Sequence, residues 1–109
     1  MHLHFWNIAA DLTVKDEAAF QEMVGGAVAA LNETGSLREV ENTHIDLRGV
    51  SLRKAWIDQV RDMAERWAAL EPKARLPWVG PSMSARSAIT ARQMETWAHG
   101  MEVFDALGI

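Results

Sequence analysis

The 109-residue chain contains no cysteine and no tyrosine. Without cysteine there is neither a disulfide framework nor a thiolate metal site, and any thiol chemistry must use a thiol brought in from outside. A chain of this kind suits a reducing compartment, so a cytoplasmic location is expected. No run of about 18 uncharged apolar residues occurs, and the opening MHLHFWN lacks a basic stretch followed by an apolar core. Membrane spanning and secretion are therefore not expected. Excess positive charge is missing as well: 11 Lys and Arg stand against 15 Asp and Glu, for a net charge of −4. That balance repels a phosphate backbone, so nucleic acid is not an expected partner. There is no internal repeat, low-complexity tract or dividing linker, and residues 1–109 read as one domain able to bury a moderate core.

What is present is apolar residue, 49% of the chain, and five tryptophans, rings large enough to fill the gaps between helices. Residues 1 to about 12 carry Leu3, Trp6 and Ala10 on one stripe and Phe5, Ile8 and Leu12 on another, which predicts a helix buried over most of its circumference. Thr13 is positioned to cap a second helix running to about Leu31, with Gly25-Gly26 as a weak point in its middle. Ser36 to Glu39 has the S-x-x-E spacing of a capping box, but the polar stretch that follows, Arg38 to Arg48, predicts only one or two loose turns. From Ser51 the residues Leu52, Trp56, Val60, Met63, Trp67 and Leu70 recur at helical spacing until Pro72. The segment Leu76 to Pro81 is a loop, and Ser82 or Ser84 caps a last helix ending at Gly108. No strand alternation is sustained, so the expected fold class is all-α, a bundle of antiparallel helices with one longer crossover.

On the last helix Glu95 and His99 stand four residues apart and project from one face, with Glu102 beside them. A carboxylate and an imidazole fixed in this way suit a divalent ion, but a third ligand must come from elsewhere, and the other histidines are His2, His4 and His44. Met94, Trp97, Met101 and Phe104 occupy the opposite face, so on spacing alone the Glu95–His99–Glu102 face reads first as a solvated one. Histidines near a chain start are usually exposed, and His44 reads as a surface residue. Arg86 and Arg92 are candidates to receive an anionic substrate, although most arginines are simply solvated.

The stretch from Trp78 to Gly108, with the run ARQMETWAHG at its centre, resembles the DinB-like metal-binding proteins grouped with mycothiol-dependent maleylpyruvate isomerase. The similarity covers nearly the whole chain and is faint between Gly35 and Val50. It implies a DinB-like bundle of the four-helix type, in which the E-x-x-x-H motif, here Glu95 and His99, supplies two metal ligands. A histidine followed by leucine on an early helix supplies a further one. His2-Leu3 matches that segment and so points to His2 rather than His4. The resemblance further implies a divalent metal, zinc being favoured, that activates water or an exogenous low-molecular-weight thiol such as mycothiol toward an electrophilic substrate, in isomerase or transferase chemistry. Glu102 keeps a carboxylate where the relatives often have Asp, and is expected to orient His99 or to act catalytically in proton transfer. The relatives have an additional long helix before the H-L segment, whereas here Met1 directly precedes His2, and the isomerases carry a further C-terminal domain. Exposed apolar surface is therefore expected, with a fragment, a homodimer or rearranged helices as ways to accommodate it. The alternative to an enzyme is a metal-binding or dimerising helical module without catalysis.

Overall fold

A computed structural model describes all 109 residues. The chain forms α1 (His2–Lys15), α2 (Glu17–Thr34), α3 (Leu37–His44), α4 (Gly49–Ala68), β1 (Arg75–Leu76), β2 (Met83–Ser84) and α5 (Ala85–Leu107). The two short strands pair antiparallel, Arg75 opposite Ser84 and Leu76 opposite Met83, and close the loop that carries Trp78. The fold is all-α, consistent with a DinB-like helical bundle.

The first helix occupies the centre, as its two apolar stripes require. One side joins a core of Phe5, Ala9, Phe20, Met23, Val24, Ala27, Val40 and Ile45, which binds α1 to α2 and α3. The other joins Ala10, Met63, Trp67, Leu76, Ala85 and Ala88, which binds it to α4 and α5. Trp78 reaches both cores: it stacks on Phe20 at 5.9 Å and tilts against Trp6 at 6.0 Å. A buried polar contact reinforces the second core, the Trp67 indole N–H donating to Asp11 Oδ1 at 3.1 Å.

The boundaries differ from the sequence reading in three places. Thr13 lies inside α1, where its hydroxyl donates to the Ala10 carbonyl at 2.6 Å. The cap of α2 is Asp16, whose extended backbone lets its carboxylate accept from the Ala19 amide. The Gly25-Gly26 pair does not interrupt α2, because the flanking Met23, Val24 and Ala27 are buried in the first core and offset a propensity cost of about 1 kcal/mol per glycine. The helix stops at Gly35, whose φ of 71° is the left-handed conformation that glycine adopts without strain. The third difference is α3. The stretch expected to form loose turns is an eight-residue helix, started by the Ser36 hydroxyl accepting from the Glu39 amide. Val40 and Glu41 turn into the protein, and their burial holds a segment too polar to be helical on pattern alone.

Candidate metal centre

Both ends of the candidate site rest on helices. His2 opens α1, which its central position holds against four neighbouring helices; Glu95 and His99 lie one turn apart on α5, and the Ser84 cap and buried Ala85 and Ala88 tie that helix to the second core. The packing brings the ligand-type atoms of His2, Glu95 and His99 within 4.8 Å of one another. Glu95 Oε2 stands 3.2 Å from His99 Nε2 and 3.9 Å from His2 Nε2. Ligands around a tetrahedral ion with bonds of about 2.0–2.1 Å are about 3.4 Å apart. One of the three edges already has that spacing, a second is 3.9 Å, and the third is no more than 4.8 Å, so the half-exposed side chains of His2, Glu95 and His99 need to close each by less than a bond length.

The remaining ring nitrogens are both held by carboxylates. His2 Nδ1 is 2.7 Å from Oε1 of Glu41, a residue only 3% exposed. The same oxygen accepts the Trp6 indole N–H at 2.9 Å. His99 Nδ1 is 3.1 Å from Glu102 Oε2. An ionised carboxylate only accepts, so each Nδ1 carries the hydrogen and each Nε2 is free to present a lone pair toward Glu95. The carboxylates of Glu102 and Glu95 on either side of the His99 ring both favour its protonated form. The hydrogen bond to Glu102, opposed by partial desolvation and helped by the charges of Glu102 and Glu95, raises the His99 pKa above the ordinary imidazole value.

The α5 helix is oriented against its own apolar pattern. Trp97 is 70% exposed and Met94 65%, with Met101 and Phe104 also exposed, while Glu95 and His99 turn inward toward α1 and are half-buried. On this face Glu95 and His99 are thus half-buried beside α1, and Glu102 is the exposed member.

The structure separates the remaining histidines. His4 is 5% exposed, with its Nδ1 buried and without a partner. Burial, and secondarily the charge of the N-terminus, lowers its pKa. It is not the exposed residue that its place in the chain suggests, and it lies outside the cluster. His44 is exposed, its ring edge-on to Phe5 at 5.2 Å. Arg86 is exposed, whereas Arg92 is half-buried over the Trp78 ring at 5.2 Å. Glu41 was missed at the sequence level because it sits in the stretch read as loose turns. The available signal was the Ser36–Glu39 capping box, which starts a helix whose register places Glu41 beside the apolar Val40.

The profile of the family described as mycothiol maleylpyruvate isomerase N-terminal domain matches residues 1–104. The chain belongs to that family. This mycothiol maleylpyruvate isomerase N-terminal domain homologue is also similar to two uncharacterized proteins of Mycobacterium tuberculosis, one from strain CDC 1551 / Oshkosh and one from strain ATCC 25618 / H37Rv. Each is 37% identical over 108 residues, a match that covers 99% of this chain. The chain spans 41% of the length of these relatives. No solved structure matches it. No helix is long and apolar enough to cross a membrane.

Proposed function

We propose that His2, Glu95 and His99 hold one divalent ion, and that the protein uses it to activate an exogenous thiol, or water, toward a small electrophile in thiol-dependent isomerisation or transfer. Two imidazoles and one carboxylate form a donor set suited to zinc, and three protein ligands leave a position open for a substrate. An ion bound there lowers the pKa of a coordinated thiol or water. With no cysteine in the chain, that thiol comes from outside, which agrees with membership of a mycothiol-related family.

The chain's own residues orient and protect this arrangement. Glu41 fixes the His2 ring through Nδ1, and Trp6 fixes Glu41. Glu102 holds the proton on His99 Nδ1 and, being exposed, can exchange protons with solvent. The observation that carries the reading is the orientation of α5: Glu95 and His99 face α1 while Trp97 and Met94 face solvent. Exposing a tryptophan in order to half-bury a carboxylate and an imidazole costs hydrophobic free energy, and a ligand shared with α1 would offset that cost. The test is elemental mass spectrometry of the untagged protein beside His99→Ala. About one ion per chain, lost in the variant, is expected; a metal-replete, folded protein without bound metal would remove the assignment.

A second reading, a metal-binding or dimerising helical module without turnover, is favoured by the exposed Trp97, Phe104 and Leu107. It predicts the same metal content with no thiol-dependent reaction, and a defined dimer in sedimentation.

A further inference from the structure

Between α4 and α5 lies an open groove of about 900 Å³. Trp56, Val60, Met63, Ile89 and Trp97 supply much of its apolar wall, and Asn7 of α1 reaches it from the third side. Its charge is opposite to that of the chain as a whole. Both charged residues that line it are arginines, Arg86 and Arg92, and no Asp or Glu does so, although the chain has 15 acidic residues and a net charge of −4.

Arg92 is the more informative of the two. It is half-buried and forms no ion pair; its guanidinium rests over the Trp78 ring at 5.2 Å. Desolvation lowers its pKa, and the charge of Glu95 offsets this only in part. A guanidinium taken partly out of water without a carboxylate is costly, and an aromatic face returns only part of what hydration supplied. A wall whose only half-buried charge is an unpaired cation is suited to a ligand that brings an anionic group, and a purely apolar occupant would leave that cation unpaired.

We propose that the α4–α5 groove binds a small amphipathic organic anion, with its carboxylate or sulfonate on the Arg92 guanidinium and its apolar body against Trp56, Met63 and Ile89. The planar guanidinium offers paired N–H donors that match two oxygens of such a group. The aromatic and aliphatic wall supplies the non-directional part of the affinity, as in most small-molecule sites.

Two naphthalene probes test this with the protein as purified: 8-anilinonaphthalene-1-sulfonate, which carries the anion, and N-phenyl-1-naphthylamine, which has the same rings and no charge. Energy transfer from the groove tryptophans reports binding. The sulfonate is expected to bind at one site per chain and at least about tenfold more tightly than the neutral probe, the scale of one charge-assisted contact. Arg92→Met should abolish that preference while leaving the neutral probe unaffected. Arg92→Lys, which keeps the charge without the fork and guards against a folding defect in the first variant, should keep part of it. His99→Ala should leave both affinities unchanged, so the groove can stand even if the metal reading falls. Equal affinity of wild-type protein for the two probes would overturn the assignment, as would a sulfonate affinity indifferent to Arg92. So would a sedimentation-defined dimer that excludes both probes, because the groove would then be the seat of a second copy.

Discussion

His2 Nδ1 lies 2.7 Å from Oε1 of Glu41, which joins the first residue of α1 to the buried face of α3. The Trp6 indole donates to the same oxygen, so Glu41 is held from two directions and the His2 ring has one preferred orientation. Carboxylates that grip the far nitrogen of a metal-ligating imidazole typically contribute a factor of about 10–100 to metal affinity.

Glu41→Ala is therefore expected to weaken metal binding by about 10–100-fold without removing a ligand. Glu41→Gln, whose amide oxygen still accepts from both donors, should lose less. Competition against a chromophoric chelator measures both. A folded Glu41→Ala protein with wild-type affinity would show that His2 needs no orienting partner.

The three proposed ligands give a sharper pattern. Glu95→Gln, His99→Ala and His2→Ala should each abolish stoichiometric binding in dialysis followed by elemental analysis, while His44→Ala and His4→Leu should retain it. A larger loss from His4→Leu than from His2→Ala would shift the assignment by two residues along α1.

The pKa of His99 is raised, first by its hydrogen bond to Glu102, so a proton competes with the cation at Nε2 already above the ordinary imidazole value of about 6.5. Metal affinity should fall as the pH drops through that raised pKa. Glu102→Gln, by weakening the bond that favours imidazolium, should move the loss to lower pH. In metal-free protein the same shift has the opposite consequence for folding: its stabilising contribution is complete below about pH 6.5 and disappears as the pH rises through the folded-state pKa. Chelator titrations over a range of pH separate the wild type from the variant, and coincident curves would show that Glu102 has no hold on His99.

His4 behaves in the reverse sense. Burial lowers its pKa, so its neutral form belongs to the folded state, and stability declines as the pH falls below about 6.5 toward the lowered value. His4→Leu removes both the titration and a buried, unpartnered Nδ1. It should match or exceed wild-type stability at neutral pH and widen its advantage in acid. Urea midpoints of metal-free protein on both sides of neutrality test this, and a parallel decline of the two proteins would mean that another group governs acid sensitivity.

The Trp67–Asp11 bond supports the α1–α4 packing independently of the site. Trp67→Phe leaves the buried Asp11 carboxylate without its indole donor and should cost about 1–3 kcal/mol in chemical denaturation. Adding Asp11→Leu, which removes an acceptor then left with only its 3.6 Å ion pair to Arg66, should return part of that loss, and additive effects would mean that the two groups are not coupled.

Much of this architecture is visible before the chain is folded. The doubly striped α1 predicts a central helix, the periodic Leu52–Leu70 run predicts α4, and the Leu76–Pro81 loop predicts the break before α5. The spacing of Glu95 and His99 puts them on one face in any α-helix, and the absence of cysteine excludes thiolate ligands under any packing. The E-x-x-x-H motif and His2-Leu3 point to the family. These properties depend on composition and on neighbours a few residues apart, which the chain order already contains.

Which way α5 faces could not be read in that manner. Its Trp97–Met101–Phe104 stripe predicts the opposite orientation by hydrophobic burial alone, whereas in the fold Ala85 and Ala88 are buried in the second core and Glu95 and His99 lie on the side toward α1. Glu41 is a second case: its value lies in a 39-residue separation from His2, across a helix whose own pattern is too polar to predict its burial. The location of Arg92, half-buried beside a groove without carboxylates, is a third. Each depends on which surfaces meet after collapse, and pairings so distant in the chain leave no periodic trace in the order of the residues.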